Sequence, residues 1–335
     1  MKKIPIGILG VSGYTGLELL KLLLSHPIFE LSYLGGSTQE EIASIHPSLL
    51  GVLSQEVQTS DVEKIAKSCE LVFLALPHKS AMQYAKALLE QGIKVIDLSA
   101  DYRLSLQNYE ANYCSHLDPQ NLSHAVYGLP EYNASKIAQA RLVANPGCYP
   151  TATLLAVLPF IPYIEGGSLF VDAKSGVSGA GKTPSPTSHY SRINENLFAY
   201  SPLEHRHQIE IQERISYFGK QDLQVNFIPH LCPFTRGMLV SIYAKLKETI
   251  DPLEVLEQSY GNQPFIRIRK TPPEVKQVSG THFCDLFAKA LGSDLFISSS
   301  IDNLLRGASS QAMVNANLMF KLPQDLGIPK IAYVP

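Results

Sequence analysis

The stretch Ile4–Ser25, IPIGILGVSGYTGLELLKLLLS, decides the fold of this chain. It begins with a short apolar run, Ile4–Leu9, which predicts a strand, and it continues into Thr15–Ser25, where leucines recur at helical spacing. Three glycines separate the two runs: Gly10, Gly13 and Gly16. A glycine turn between a strand and a helix places backbone N–H groups where they can bind the pyrophosphate of a dinucleotide. A plain tight turn is the alternative, because the spacing is GxxGxxG and not GxGxxG.

The alternation of strands and helices continues through the first 145 residues. Strand-like runs lie at Phe29–Leu34, Leu71–Leu76 and Ile93–Leu98, and Lys79–Gln91 between the last two has a helical pattern. Alternating strands and helices predict a parallel sheet with right-handed connections. We therefore expect an α/β protein whose first domain is a Rossmann-type dinucleotide-binding domain.

The pattern changes after Asn145. A helical run, Thr151–Phe160, is followed by four strand-like runs and by loops rich in Gly, Pro and Ser. These runs are Ser168–Ser175, Leu223–Ile228, Met238–Leu246 and Leu295–Ser300. We expect an α+β catalytic and dimerisation domain with a strand-rich sheet at 148–301. The tail, Asp302–Leu322, again has a helical pattern, with small residues at Ala308, Ala312 and Ala316. We expect it to return and pack on the first domain, which would then comprise 1–147 and 302–335.

Composition excludes several classes of protein. The 335 residues carry 28 basic and 30 acidic side chains, and 45% of them are hydrophobic. We therefore expect neither a nucleic-acid partner nor a membrane span, since the longest apolar run is short and broken by prolines. Five cysteines without a CxxC pair indicate no disulfide framework and no metal site. A reducing cytoplasm fits this composition best.

The end of the second predicted strand bears on cofactor choice. NAD sites usually place Asp or Glu there to bind the ribose 2′-hydroxyl. Here the strand is followed by Ser37 and Thr38, with no acid at the turn itself. Hydroxyl groups at this turn favour NADP(H), although they are also ordinary loop residues.

Two further motifs point to covalent chemistry. Cys148, in NPGCYPT, precedes a predicted helix, and a helix N-terminus stabilises a thiolate. An inert buried cysteine is the alternative. The segment EHRHQIE supplies His205 and His207, which suit a general acid or base beside a thiol nucleophile. A metal site and a solvated polar face are the other interpretations of this cluster.

Taken in order, the motifs resemble one family along nearly the whole chain. They are GVSGYTGLELLKLL (10–23), LALPH (74–78), DLSADYRL (97–104), YGLPE (127–131), ANPGCYPT (144–151), SGVSGAGK (175–182), EHRHQIEI (204–211), PFTRGM (233–238) and DNLLRGASSQA (302–312). The chain is similar to the N-acetyl-γ-glutamyl-phosphate reductases, the arginine-pathway family of the aspartate-semialdehyde dehydrogenase superfamily. The resemblance implies an NADP-dependent, phosphorylating oxidoreductase that acts as a homodimer or homotetramer on an acyl phosphate and releases inorganic phosphate.

The resemblance also implies a role for each candidate residue. Cys148 would form a thioester, and His205, with His207 beside it, would serve as acid or base. The expected cofactor-binding residues are Gly10, Ser12, Gly13, Tyr14, Thr15, Gly16, Ser37, Pro77, Ser178, Gly179, Gly181 and Asn303. The expected substrate-binding residues are Arg103, Asn145, Glu210, Arg236 and Lys182.

Two other hypotheses about function are consistent with the sequence. The nearest is a sister enzyme acting on aspartyl phosphate or on an aminoadipyl phosphate. The second hypothesis, from a non-enzymatic class of protein, is an NADP-binding redox sensor, which would leave the Cys148 turn and the histidine cluster unexplained.

Overall fold

A computed structural model describes residues 2–333 and divides the chain into two units. The first comprises the described residues up to Pro146 together with Ala308–Ile328, and the second comprises Gly147–Gly307 and the residues from Pro329 onward. The first unit is therefore discontinuous. The boundaries predicted from the sequence place Gly147, 302–307 and the segment from 329 in the first domain, whereas among the described residues Gly147, 302–307 and 329–333 belong to the second unit.

The first unit is built on an eight-stranded sheet in the order β3-β4-β2-β1-β5-β6-β8-β7. Its elements are β1 Ile4–Leu9, α1 Tyr14–Ser25, β2 Phe29–Gly36, β3 Glu40–Glu41, α2 Ile42–Ile45, β4 Glu56–Thr59, α3 Val62–Ser68, β5 Leu71–Leu74, α4 Ser80–Glu90, β6 Lys94–Asp97, α5 Leu106–Asn112, α6 Pro119–Leu122, β7 Val126–Tyr127, α7 Pro130–Ile137 and β8 Leu142–Ala144. All its strand pairs are parallel except β3 with β4. The central strands β1 and β5 are apolar and largely buried because helices cover such a sheet on both faces.

The second unit is built on a mixed seven-stranded sheet in the order β10-β11-β9-β12-β15-β14-β13. Its elements are α8 Cys148–Val157, β9 Ser168–Gly176, α9 Tyr190–Ile193, β10 Phe198–Ala199, α10 His207–Gly219, β11 Gln224–Cys232, β12 Met238–Lys245, α11 Pro252–Tyr260, β13 Ile266–Ile268, β14 Cys284–Leu291 and β15 Asp294–Ile301. Helices α8, α10 and α11 pack against the sheet. This is the strand-rich α+β domain that the sequence predicted.

The tail completes the first unit. A π-helical turn at Leu305–Ser309 precedes α12, Ser310–Met319, which packs on α1 and α7. Almost every residue of α12 is buried, including the polar side chains of Gln311, Asn315 and Asn317. Among the described residues, no helix has both the length and the apolar character needed to cross a lipid bilayer.

Candidate active site

The glycine turn of the first unit has the shape that a phosphate ligand requires. Gly10 has φ of +89°, and a Cβ there would lie 2.2 Å from the Ala75 carbonyl oxygen. A Cβ on Gly16 would lie 2.4 Å from the Gly10 oxygen, whereas Gly13 has only one atom within 4 Å of its Cβ position. No side chain caps the start of α1. The turn therefore leaves helix N–H groups for a dinucleotide pyrophosphate, and Ser12, Tyr14 and Thr15 lie in this segment.

The ends of β2 and β5 contribute the remaining cofactor residues predicted in this unit. The Gly10 amide donates to the Gly35 oxygen at 2.9 Å, which joins the glycine turn to the end of β2. Ser37 follows that strand and is exposed, and Pro77 is exposed in the loop after β5. The close backbone packing at Gly10 and Gly16, the open Cβ position of Gly13 and the uncapped helix start fit the dinucleotide NADP(H).

Arg103 and Asn145 are both engaged inside the first unit. The Arg103 Nε donates to the Asn145 carbonyl oxygen at 2.7 Å, and an Nη2 donates to the Leu98 oxygen at 2.6 Å. Asn145 is fully buried, donates to the Ala308 oxygen at 3.1 Å and accepts from Asn315 at 3.0 Å. These contacts give both residues a structural task. The Asn145 side chain has no exposed surface, and its substrate-binding role stays a prediction.

Cys148 is the first residue of α8. Gly147 is the N-cap, with no side-chain hydrogen bond at the cap, and Cys148 is partly exposed. The helix begins three residues before the predicted start at Thr151 because Pro150 fits within a first turn. The dipole of α8 therefore points its positive end at the thiol.

Glu210 serves this helix start rather than an open pocket. It is buried in α10, and its Oε1 accepts from the Gly147 N–H at 3.1 Å. A carboxylate there satisfies an amide that the helix cannot. Glu210 thus caps this helix start, and its contact with substrate stays a prediction.

Gly307, which sequence reasoning did not single out, lies against the cysteine. A Cβ on Gly307 would be 2.5 Å from the Cys148 Cβ and 3.1 Å from its Cα. Only glycine lets the π-helical turn approach so closely. The signal in the sequence was the run of small residues in LLRGASS, which was read only as helix packing.

His205 is enclosed by aromatic rings of the second unit. Its ring centroid lies 5.7 Å from that of Tyr149, 5.4 Å from Tyr200 and 5.5 Å from Phe227. Burial, and then the charge of Arg206, lower the pKa of His205 to about 4. The imidazole is therefore neutral at pH 7.

A hydrogen bond fixes which nitrogen of His205 carries the proton. The backbone N–H of His207 donates to the His205 Nδ1 at 3.1 Å, so the neutral ring holds its proton on Nε2. The two histidine rings lie 4.9 Å apart, with His207 opening α10. His205 is thus a hydrogen-bond donor through Nε2 and a weak base.

Tyr149 and Tyr200 are site residues that the sequence analysis missed. Their hydroxyl oxygens are 3.1 Å apart. Burial raises the pKa of the Tyr200 phenol to about 12. Tyr149 follows Cys148 in the sequence, a signal that was available, whereas nothing local marks Tyr200.

The remaining predicted residues form a second cluster in this unit. Asn303 donates to the Ser178 Oγ at 3.0 Å and accepts from the Gly237 N–H at 2.6 Å. The Arg236 guanidinium makes two hydrogen bonds, of 2.9 and 3.2 Å, to the buried Asp302. The loop beside Ser178 holds Gly179, Gly181 with φ of +87°, and the exposed Lys182. Asn303 therefore links β12 to the SGAGK loop.

Both units match described protein families. Residues 5–140 match the family described as "Semialdehyde dehydrogenase, NAD binding domain", and residues 148–303 match "Semialdehyde dehydrogenase, dimerisation domain". The N-acetyl-gamma-glutamyl-phosphate reductase of Wolinella succinogenes is 62% identical over 100% of both chains. That of a Sulfurovum species is 58% identical over 99% of this chain and 100% of its own.

Solved structures share the fold at low sequence identity. An aspartate semialdehyde dehydrogenase II of Vibrio cholerae aligns with a TM-score of 0.73 and 16% identity, over 96% of this chain and 99% of its own. An aspartate semialdehyde dehydrogenase of Candida albicans, solved with NADP, aligns with a TM-score of 0.71 and 14% identity, over 95% and 99%. These matches confirm the predicted fold class.

Proposed function

This chain belongs to the N-acetyl-gamma-glutamyl-phosphate reductase family of semialdehyde dehydrogenases, and from that premise we propose the reaction of its own site. The substrate is N-acetyl-γ-glutamyl phosphate, and the products are N-acetyl-glutamate γ-semialdehyde and inorganic phosphate, a step of arginine biosynthesis. The observation that carries the proposal is the position of Cys148, partly exposed at the first residue of α8.

Cys148 acts as the nucleophile. Its Sγ attacks the acyl carbon, the bond from that carbon to the phosphate oxygen breaks, and phosphate leaves with the bonding electrons. The result is a thioester. The positive end of the α8 dipole stabilises the thiolate before attack and again when it departs as the leaving group.

His205 acts as the donor to the acyl oxygen. Its Nε2–H donates a hydrogen bond to the oxygen that gains negative charge in the attack on the acyl phosphate and again in the thiohemiacetal. When that tetrahedral species collapses, the C–S bond breaks and the aldehyde forms. His207 supports this geometry, since its N–H holds the Nδ1 of His205.

The glycine turn of the first unit holds the cofactor. When bound there, NADPH supplies the hydride that reduces the thioester. The cofactor-binding residues we propose are Gly10, Ser12, Gly13, Tyr14, Thr15, Gly16, Ser37 and Pro77 in the first unit and Ser178, Gly179, Gly181 and Asn303 in the second.

The anionic groups of the substrate require cations. Lys182 is exposed in the SGAGK loop, and Arg236, which is paired with Asp302, carries a second positive charge in the same unit. We assign these two to the substrate, whereas Glu210 orders the helix start of the nucleophile. The hydrogen bonds of Arg103 to two carbonyl oxygens support a positioning role for it.

The test is substitution of the nucleophile. Cys148→Ser should fold and bind NADP, and its turnover should fall by at least about 10³-fold because a serine hydroxyl is a poor nucleophile without a strong base. Cys114→Ser, at a partly exposed cysteine of the first unit, is the matched control and should retain activity. Acid-quenched enzyme given the acyl phosphate alone should carry an acyl group on the Cys148 peptide. Near-normal turnover of Cys148→Ser would refute the mechanism.

Substrate choice has its own assay. In the reverse direction, with phosphate and NADP, we expect turnover of N-acetyl-glutamate semialdehyde to exceed that of aspartate semialdehyde and of the aminoadipate analogue. A preference for either of the other two would reassign the enzyme to a sister reaction. We place the reaction in the cytoplasm, where reducing conditions keep Cys148 a thiol.

The open face of the second sheet is our proposed surface for a homodimer. Phe170 and Tyr243 are paired neighbours on β9 and β12 and are 53% and 50% exposed, and the Phe296 ring of β15 lies 5.4 Å from that of Tyr243. Exposed aromatic rows of this kind mark association surfaces. The double variant Phe170→Lys, Tyr243→Lys should sediment as a monomer. An unchanged oligomer would move the interface elsewhere.

A further inference from the structure

The turn 302–307 lies in the second unit and ends against the nucleophile. A Cβ on Gly307 would be 2.5 Å from the Cys148 Cβ and 3.1 Å from its Cα. These two atoms belong to the start of α8 and cannot swing aside as the far end of a long side chain can. Gly307 therefore limits where the Cys148 Cβ can lie, and with it the Sγ bonded to that atom.

A single buried residue opens this turn and holds its shape. The Asp302 Oδ1 accepts hydrogen bonds from the Leu304 and Leu305 amides, both at 2.9 Å. The Asp302 backbone carbonyl accepts from the Gly307 N–H, also at 2.9 Å. Aspartate commonly accepts from the first amides of a helical turn in this way. The Gly307 backbone is thus tied directly to Asp302.

Asp302 is itself fixed by donors from two other segments. Its Oδ2 accepts from the Arg236 Nε at 2.9 Å and from the Gly280 N–H at 2.7 Å. Its Oδ1 accepts from the Arg236 Nη2 at 3.2 Å. Asp302 is fully buried, so these bonds form away from bulk water, where their electrostatic part is stronger. Because both oxygens are engaged, the carboxylate cannot rotate without breaking several bonds at once.

The residue before Gly307 is held as well. Arg306 is fully buried, and its Nη1 donates a hydrogen bond to the Nε2 of His282. Burial, and then the charge of Arg306, lower the pKa of His282 well below its usual 6.5, so this imidazole is neutral and can accept. The His282 ring packs edge-on against Phe265, with the centroids 4.5 Å apart. The Gly307 contact is therefore anchored both through Asp302 and through Arg306.

We propose that the turn 302–307 positions the nucleophile: Gly307 sets where the Cys148 Sγ lies, and Asp302 holds Gly307 in place. Both act through Cys148 and are positioning residues of the reaction. The inference rests on the proposed role of Cys148 as nucleophile and adds the groups that place it. Displacing a reacting atom by about 1 Å can lower a rate by about 10²-fold, so a small shift of this turn has a large effect on turnover.

The first experiment puts a methyl group into the contact. Gly307→Ala is compared with Gly219→Ala, whose Cβ would lie 2.7 Å from a side-chain carbon of Ile161 in the same unit. Neither glycine has a positive φ, so in both variants the cost comes from the neighbouring atoms and not from the backbone conformation. The complete enzyme is assayed for kcat and KM of the acyl phosphate, NADPH binding, the urea midpoint and the pH dependence of Cys148 alkylation by iodoacetamide.

Both variants should lose stability, but only Gly307→Ala should lose activity. Its kcat should fall by about 10²-fold, with KM within about threefold of the wild type. The midpoint of its alkylation profile should rise by about 0.5 pH unit, because a displaced Sγ loses part of the stabilisation by the α8 dipole. Gly219→Ala should keep the kcat and the alkylation midpoint of the wild type, since a loss of packing alone lowers the urea midpoint and moves neither of these.

The second experiment tests whether Asp302 acts through Gly307. Asp302→Asn keeps one oxygen for the amides of the turn but puts an NH2 group where two donors converge, and kcat should fall by about tenfold. In the double variant Asp302→Asn, Gly307→Ala the fall should stay near that of Gly307→Ala alone, because the contact is already displaced. Asp285→Asn, at another fully buried carboxylate paired with an arginine of this unit, is the control and should keep the wild-type kcat.

Three outcomes would overturn the inference. A folded Gly307→Ala with the kcat and alkylation midpoint of the wild type would show that the contact does not place the thiol. Equal losses of kcat in Gly307→Ala and Gly219→Ala would show a general effect of packing. Multiplied losses in the double variant would give Asp302 a task independent of Gly307. Should either single variant not fold, unchanged kcat in the other would overturn the inference on its own. The proposed function fails separately, through near-normal turnover of Cys148→Ser.

Discussion

The segment Asp97–Arg103 of the first unit and the cluster around His205 in the second treat their ionisable side chains in opposite ways. In the first, Asp101 accepts from the Lys79 and Met82 amides and from the Tyr109 hydroxyl, all within 3.0 Å. In the second, three aromatic rings surround His205, and a single backbone N–H binds its Nδ1.

This difference separates polar motifs that hold the chain in shape from polar motifs that are available for chemistry. Where neighbouring backbone groups consume the hydrogen-bonding capacity of a charge, the charge shapes the chain. Where aromatic rings exclude water and leave one polar atom without a structural task, that atom is available for chemistry. DLSADYRL and EHRHQIEI look equally polar as sequences, yet the structure separates them by this criterion.

We expect the largest effect on kcat from removing the Nε2–H donor of His205. His205→Gln should lower kcat by about 10²–10³-fold, the usual cost of losing a donor to a developing oxyanion. The pH profile for alkylation of Cys148 by iodoacetamide should stay largely as in the wild type, since a neutral His205 forms no ion pair with the thiolate. His124→Gln, an exposed histidine of the first unit, is the control. Loss of alkylation at low pH in His205→Gln would break the comparison by revealing an imidazolium partner.

A smaller effect, on stability, should follow in the first unit. Arg103→Met leaves two carbonyl oxygens without a donor and should cost about 2–4 kcal/mol in the free energy of unfolding by urea. The KM for phosphate in the reverse assay should change little. Arg141→Met is the matched control, because Arg141 is exposed and also donates to a carbonyl oxygen, that of Leu89. A large rise in phosphate KM at unchanged stability would return Arg103 to the substrate.

The smallest effects should be opposite slopes of stability with pH. Burial, then the Asp101 charge, raises the pKa of Asp97 to about 7 from 3.8, so the unfolded chain loses this proton first and stability falls as pH rises through 4 to 7. The pKa of His205 is lowered to about 4 from 6.5, so the unfolded chain gains this proton first and stability falls as pH drops through 6.5 to 4. Urea midpoints across pH 4.5–8 should lose the first slope in Asp97→Asn and the second in His205→Gln. Identical slopes in both variants and the wild type would contradict the two pKa directions.

Regular alternation made the first unit predictable from sequence. The bounds of β1 were predicted to the residue, and the strands at Leu71 and Lys94 to within two residues at each end. A parallel strand that helices cover on both faces is apolar at nearly every position, and this pattern can be recognised within the sequence of the strand itself. The glycine turn and the cysteine turn could be predicted for the same reason, because each lies between two elements that are adjacent in the sequence.

The second unit was less predictable because its signals are not local. The strand Cys284–Leu291 was missed, since Phe287 and Lys289 on its open face do not alternate cleanly with the buried residues. The tail helix was predicted from Asp302, but the Asp302 carboxylate accepts the Leu304 and Leu305 amides and holds a turn ahead of it. Tyr200 and Gly307 are far from Tyr149 and Cys148 in the sequence and come close to them only in the folded chain.

The return of α12 to the first unit has a consequence for biosynthesis on the ribosome. Asn315 donates to the Gly128 carbonyl oxygen and to the Asn145 side chain, and the Gln311 Nε2 donates to the same Gly128 oxygen at 2.7 Å. These buried groups of the first unit have their partners only after the whole second unit has been translated. The nucleotide-binding unit is therefore begun first but completed last. A nascent chain halted before Ala308 leaves the Gly128 carbonyl oxygen without its donors from α12 and is a candidate for recognition by the quality-control machinery.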